Sequence, residues 1–209
     1  MKTASTGAKH AVGIFGGSFD PVHRGHLALV QYLLAQGVVE EVWLMVSPLN
    51  PLKSSFHLSP DDVRLDMART AAAEVPGLRV SDFEMHLPRP SYTWRTLRAL
   101  RAAYPATEFS LIIGADNWVN FSRWAHHDDL LAEYPLLVYP REGYPISPET
   151  LPTTVQLIDA PLFPFSSTNI RARLSTGEDV EEMLPHCIIE AAQHIYAAIP
   201  CVKNDATTS

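Results

Sequence analysis

A chain of 209 residues is long enough for one generous domain with a real core, and 46% hydrophobic residues is ordinary for a globular protein. The formal net charge of -7 argues against broad electrostatic attraction to nucleic acid or an anionic membrane, so an anionic small ligand must find a local positive site. No run of about eighteen apolar residues occurs, which excludes a transmembrane helix, and Cys187 and Cys201 lack metal-ligand spacing.

In chain order, residues 1–10 have no apolar signal-peptide core and read as a flexible tail. Ala11 to Phe15 is an apolar strand running into a glycine turn, and Arg24 to Gln36 is helical, with Leu27, Val30 and Leu34 on one side and Gly37 as a stop. A strand at Glu41 to Val46 leads into a proline-rich loop, Pro48 to Lys53. Ser59-Pro60-Asp61-Asp62 opens a helix reaching about Glu74. Leu78 to Ser81 is a strand, and Ser91 begins a helix to about Tyr104. Strands at Phe109 to Ile113, Pro135 to Tyr139 and Val155 to Ile158 alternate with helices at Trp124 to Glu133, Ser167 to Leu174 and Pro185 to Ile199. Residues 11–200 therefore form a single domain, and 201–209 a second tail. The alternation predicts an α/β fold: a Rossmann-like, doubly wound parallel sheet with helices on both faces. Right-handed crossovers then gather the loops at the carboxyl edge, where such folds bind ligands.

The chemistry concentrates in Gly16-Gly17-Ser18-Phe19-Asp20-Pro21-Val22-His23-Arg24-Gly25-His26. Adjacent glycines let backbone approach a ligand closely, and amides at a helix start attract anions. His23 and His26, three residues apart, project from one helical face, with Gly25 leaving room between them. The spacing fits neither G-x-G-x-x-G nor G-x-x-x-x-G-K-[ST]. Ser166, Ser167 and Thr168 precede an apolar-periodic segment as capping residues do, and Arg171 lies one turn on. Alone, that segment reads as a capped helix with a solvated arginine; beside a second phosphate-shaped element, it reads as an anion grip. Gly114-Ala115-Asp116 ends a strand, where an acid can bind ribose hydroxyls or cap a helix. Most tryptophans pack, and local sequence does not distinguish Trp118 from Trp124; Trp118 is read as a packing residue. There is no Ser-His-Asp or Cys-His pattern, and the nine histidines include no H-E-x-x-H. Cys187 reads as a small apolar filler.

GGSFDPVHRGHL resembles the opening of the bacterial nicotinate mononucleotide adenylyltransferases, within the H-x-G-H nucleotidyltransferase superfamily. Four more ordered segments resemble the family: Pro48 to Lys53, Pro90-Ser91-Tyr92-Thr93, Leu111 to Asn117 with the downstream Trp124, and Pro164 to Arg171. The likeness runs from about residue 11 to 199. It implies transfer of the adenylyl group of ATP to nicotinate mononucleotide in NAD biosynthesis, in the cytoplasm. It assigns catalysis to His23, His26 and Arg171. ATP binding falls to these three with Gly16, Gly17, Ser18, Phe19, Gly114, Asp116, Ser166, Ser167 and Thr168. Lys53, Tyr92, Thr93 and Trp124 take the mononucleotide. Leu52 stands where the family usually has histidine, and Phe165 where it has isoleucine. Mg2+ is expected with the pyrophosphate portion, held by ligand oxygens and water without a dedicated protein cage. Neither nucleic acid nor a membrane is an expected partner, and a homo-oligomer stays open. Rival readings are an H-x-G-H enzyme using nicotinamide mononucleotide, pantetheine phosphate or glycerol phosphate, or a catalytically silent nucleotide-binding module, against which both histidines and Arg171 count.

Overall fold

Six short segments rich in β-branched and large apolar residues are strands: β1 (His10–Gly17), β2 (Glu41–Val46), β3 (Leu78–Ser81), β4 (Thr107–Gly114), β5 (Leu136–Tyr139) and β6 (Val155–Leu157). In the computed structural model, which describes residues 9–48 and 58–197, all pair in parallel in the order β3-β2-β1-β4-β5-β6. The helices are α1 (Arg24–Ala35), α2 (Asp61–Ala72), α3 (Thr93–Ala103), α4 (Ala115–Val119), α5 (His127–Glu133), α6 (Ser167–Thr176) and α7 (Ile189–Tyr196). This is the doubly wound sheet expected from the alternation of elements. The chain builds outward from β1 to β3 and then returns to start β4 beside β1. Loops leaving β1 and β4 therefore diverge and open a crevice at their carboxyl ends.

Both faces of the sheet are buried. Phe15, Val42, Leu44, Val46, Ile112 and Leu137 point to a core shared with α1, α2, α6 and α7. Val12, Ile14, Trp43, Met45, Leu111, Ile113, Leu136 and Val138 point the other way, toward α3, α4 and α5. Successive strand residues alternate between the two faces, so the strands read as unbroken apolar runs.

Several boundaries differ from the sequence-based expectation. Residues 124–126 are not helical, because His126 takes a left-handed backbone (φ 60°) that interrupts any helix, so α5 starts at His127. Helix α4 is only five residues long and shows no period of its own. The last predicted helix divides into a single 3-10 turn, His186–Ile188, followed by α7. Helix α2 has Pro60 at its N-cap position and no side-chain capping bond. Cys187 is exposed and its Sγ lies 3.8 Å from the Thr70 carbonyl, so it is not a core filler.

The guanidinium of Arg64, on α2, is fully buried. Its Nη1 donates to the carbonyls of Ser18 (2.6 Å) and Ser47 (3.0 Å), and its Nε to that of Ser59 (2.9 Å). Nη2 donates to Asp61 Oδ1 at 2.5 Å. One planar fork thus joins the chain just past β1, the chain just past β2 and the start of α2, a geometry an ammonium cannot reproduce. Replacing Arg64 with Met leaves three carbonyls without their donor and is expected to lower unfolding free energy by about 3–5 kcal/mol. Urea denaturation checks this, with Arg64→Lys recovering less than half of the loss.

Candidate active site

A cavity of about 480 Å³ occupies the crevice at the β1 and β4 carboxyl ends. The turn after β1 contributes Gly16, Gly17 and Ser18, and the end of β4 contributes Gly114 and Asp116. Ser47, Glu84, Tyr92, Thr93, Trp124 and Tyr139 also line it. A Cβ added at Gly16 would meet no atom within 4 Å, so this backbone borders open space that a ligand can fill. A Cβ at Gly114 would collide with the Asp116 carboxylate and come within 3.1 Å of Arg141 Cγ, so only glycine lets that carboxylate turn back against the strand end. Asp116 Oδ1 is buried without a hydrogen-bond partner among the described residues, 3.6 Å from Arg141 Nε. Burial pushes the Tyr139 hydroxyl up to about 12, which keeps it a donor at neutral pH.

The histidines lie beside this cavity rather than in its lining, joined to it by the loop that follows β1. His23 is 3% exposed, and the His23 and His26 rings stack at 3.6 Å with 18° between planes. The His23 backbone N–H donates to His26 Nδ1 at 3.2 Å. Neutral His26 must therefore carry its proton on Nε2, which assigns that atom as the donor. Burial, aided by the nearby Arg141 guanidinium, pushes His23 down to about 3, so its imidazole is uncharged at neutral pH. A Cβ at Gly25 would lie 3.1 Å from His23 Nδ1 and from Phe163 Cβ. The room left by Gly25 is thus taken up by the His23 ring and Phe163, and the stacked imidazoles leave no gap between them for a ligand.

The second signature packs against the first. Ser166 Oγ accepts from the Asn169 N–H at 3.2 Å, the capping bond its position predicts. Ser167 Oγ donates to the Pro21 carbonyl at 3.0 Å across 146 residues of sequence. Arg171 Nη1 donates to the Asp20 carbonyl at 2.7 Å and lies 3.9 Å from Asp20 Oδ2, while Nη2 donates to Thr168 Oγ1 at 3.4 Å. Phe165 meets His23 edge-on at 6.4 Å. The N-terminus of α6 and the turn holding both histidines are therefore neighbours. Asp20 is itself fully buried, accepting from the Tyr196 hydroxyl at 2.6 Å and the Ser59 N–H at 3.4 Å. Burial, with Asp20 alongside, raises the Tyr196 hydroxyl well above its ordinary range, so it stays a donor.

At the other end of the cavity, Tyr92 is the N-cap residue of α3 and Thr93 its first helical residue, so this helix start, with its free amides, borders the crevice. Ser91 Oγ and Trp124 Nε1 are buried there without hydrogen-bond partners among the described residues. Trp118 packs on Phe121 at 5.4 Å and is absent from the cavity lining, in keeping with a packing role. Lys53 and Leu52 lie outside the described residues. Sequence reasoning missed Arg141, which follows β5 in a proline-rich loop with no helix start or glycine pair to mark it. It also missed the buried Glu84, whose Oε2 accepts from Ser47 Oγ at 2.7 Å.

The Cytidylyltransferase-like family model matches residues 14–173. A protein of Bacteroides fragilis (strain YCH46) named "Probable nicotinate-nucleotide adenylyltransferase" is 49% identical over 177 residues, covering 85% of this chain and 88% of its own. A Bacteroides thetaiotaomicron protein of the same name is 50% identical over 176 residues, 84% of this chain and 87% of its own. Among solved structures, Plasmodium falciparum nicotinic acid mononucleotide adenylyltransferase complexed with NaAD has a TM-score of 0.74 at 19% identity, covering 89% of this chain and 98% of its own, a likeness of fold.

The buried His23 has a consequence for stability. An unfolded histidine binds its proton near pH 6.5, whereas folded His23 resists protonation down to about 3. The unfolded state holds more protons between these values, so folding weakens as pH falls through that window. Relative to His23→Gln, the wild-type protein is expected to lose about 2–3 kcal/mol between pH 7 and 4.5. Paired urea titrations across that range read the difference directly.

Proposed function

The chain belongs to the cytidylyltransferase-like family and, within it, to the nicotinate-nucleotide adenylyltransferases, and we propose that it transfers the adenylyl group of ATP to nicotinate mononucleotide, releasing pyrophosphate and giving nicotinate adenine dinucleotide for NAD biosynthesis. The attacking group is a phosphate monoester, largely ionised at neutral pH because its second pKa is near 6. It needs no nucleophilic side chain and no strong base. The barrier lies in bringing two polyanions together and in stabilising charge on the α-phosphate and the departing pyrophosphate, which is work for positioned donors.

The observation that carries this reading is the pair of bonds from Ser167 and Arg171 to the Pro21 and Asp20 carbonyls, which brings a cation and a helix start against the histidine turn. In this reading His26 offers Nε2–H to a phosphate oxygen. His23, uncharged, supports it as stacking partner and second donor. Arg171 and the α6 amides, with Ser166, Ser167 and Thr168, hold the triphosphate; Arg141, beside Asp116, adds a second cation. Gly16, Gly17, Ser18 and Phe19 let backbone approach the nucleotide, and the unpartnered Asp116 oxygen at the end of β4 is suited to ribose hydroxyls. Trp124 gives a face for the pyridine ring, the amides at Tyr92 and Thr93 suit its carboxylate, and Lys53 is assigned to the same ligand.

Among the described residues no group of three His, Cys, Asp or Glu side chains could hold a metal ion. We propose that magnesium enters with the triphosphate as part of the substrate, coordinated by phosphate oxygens and water. No described helix is long and apolar enough to cross a membrane. We place the reaction in the cytoplasm, where ATP is available.

Pyrophosphate release on mixing the protein and ATP with nicotinate mononucleotide, nicotinamide mononucleotide, pantetheine phosphate or glycerol phosphate tests the assignment. Preference for the nicotinate compound is expected, and turnover with none of them would leave only a nucleotide-binding module. His26→Ala is expected to lower kcat about 10²- to 10³-fold in the same assay, the usual loss for one transition-state donor.

A further inference from the structure

The slot formed by Trp124 and the start of α3 has two walls from separate elements. One is the N-terminus of α3 with Tyr92 and Thr93; the other is the segment Arg123-Trp124-Ala125, and all five residues line the cavity. Behind the slot each wall carries a ring. Trp94 is the second residue of α3, and His126 follows Ala125. The two rings stack at 4.0 Å with 13° between planes. His126 is also tied to its own element, Nδ1 bonding Asp129 Oδ2 at 2.9 Å across the first turn of α5. Its backbone is left-handed, at φ 60°, which ends any helical path into α5 and turns the Arg123-Trp124-Ala125 segment toward the cavity as a separate wall. The His126 side chain is 51% exposed, so its contact with Trp94 is not a by-product of core packing. Arg98, one turn along α3, places its guanidinium 4.7 Å from the same indole, giving Trp94 a second fixed neighbour.

We propose that His126 and Trp94 are a positioning pair that sets the distance between Trp124 and the amides of Tyr92 and Thr93, and so the width of the mononucleotide slot. Neither ring lines the cavity; both act through the residues next to them in the chain, Trp94 through Thr93 and His126 through Ala125 and Trp124. The inference rests on the reading of that slot as the mononucleotide site. A flat aromatic ligand held between a stacking face and a row of amides is sensitive to separation, because displacement by a fraction of an ångström forfeits much of a dispersion contact. The pair therefore governs affinity for the pyridine nucleotide, whereas the adenylyl donor and the phosphate donors are positioned by β1, β4 and α6.

Steady-state kinetics on the full chain, varying each substrate in turn, separate this from a general structural role. His126→Asn keeps a residue that tolerates the left-handed backbone but removes the ring, and Trp94→Leu removes the indole while leaving an apolar side chain. Each is expected to raise KM for nicotinate mononucleotide five- to tenfold, with kcat and KM for ATP within twofold. The double variant is expected to be no worse than either single one, as for two halves of one contact. Trp94→Phe, which restores a ring to stack on, should return KM to within threefold of wild type. Trp124→Ala serves as the reference for the slot itself. If it raises the mononucleotide KM while His126→Asn and Trp94→Leu leave it within twofold, the positioning role is overturned and the slot stands. If Trp124→Ala leaves that KM unchanged, slot and positioning pair fall together. Equal changes in kcat or in KM for ATP would mark the pair as merely structural and overturn the proposal.

Discussion

One buried guanidinium stands where the sheet becomes a site. Arg64 binds the Ser18, Ser47 and Ser59 carbonyls and the Asp61 carboxylate, so the chain leaving β1 and the chain leaving β2 are held to the same rigid group on α2. Strand ends are where a sheet's hydrogen-bond ladder stops supporting the backbone. The glycine turn begins at that point, and Gly16 and Gly17 add freedom rather than restraint. An arginine bonded to three carbonyls resolves the conflict, since the backbone is fixed by donors and the open side at Gly16 remains clear for a ligand.

Positive charge is rationed in a chain that is acidic overall. His23 is kept neutral by burial and by Arg141, so the stacked imidazole pair can be tight without one charge repelling another. Among the described residues the cations near the histidine turn are guanidiniums, and Arg171 rests on the Asp20 carbonyl close to the Asp20 carboxylate. In the proposed reaction a polyanion arriving there meets fixed positive charge together with the His26 donor, whose tautomer is already set. That is preorganisation in its electrostatic sense.

The doubly wound sheet could be read from the sequence because apolar strands buried on both faces stand out against helix-period segments, and Ser166 announced itself as a cap. That both signatures lie at one edge was also legible, because parallel strands joined by right-handed crossovers gather the following loops there. What could not be read were features made by tertiary contact. His126 breaks a helix through a left-handed backbone that no local residue pattern demands. Arg141 enters the site from a loop whose composition suggests only a connection. Gly25 looked like space for a ligand, but that space belongs to Phe163 and the His23 ring, since the partner that fills it is about 140 residues distant in the chain. Glu84 and Arg64 were silent for the same reason: a charged residue near a helix or strand end looks solvated until its burial is known.

The hydroxyl of Tyr196 reaches Asp20 from the last described helix, closing a connection between opposite ends of the polypeptide. Synthesis proceeds from the amino end, so the glycine turn and both histidines are made long before the group that steadies Asp20 exists. A chain that stops before α7 therefore holds His23, His26 and Arg171 but lacks this hydroxyl, leaving the buried Asp20 carboxylate with one donor fewer.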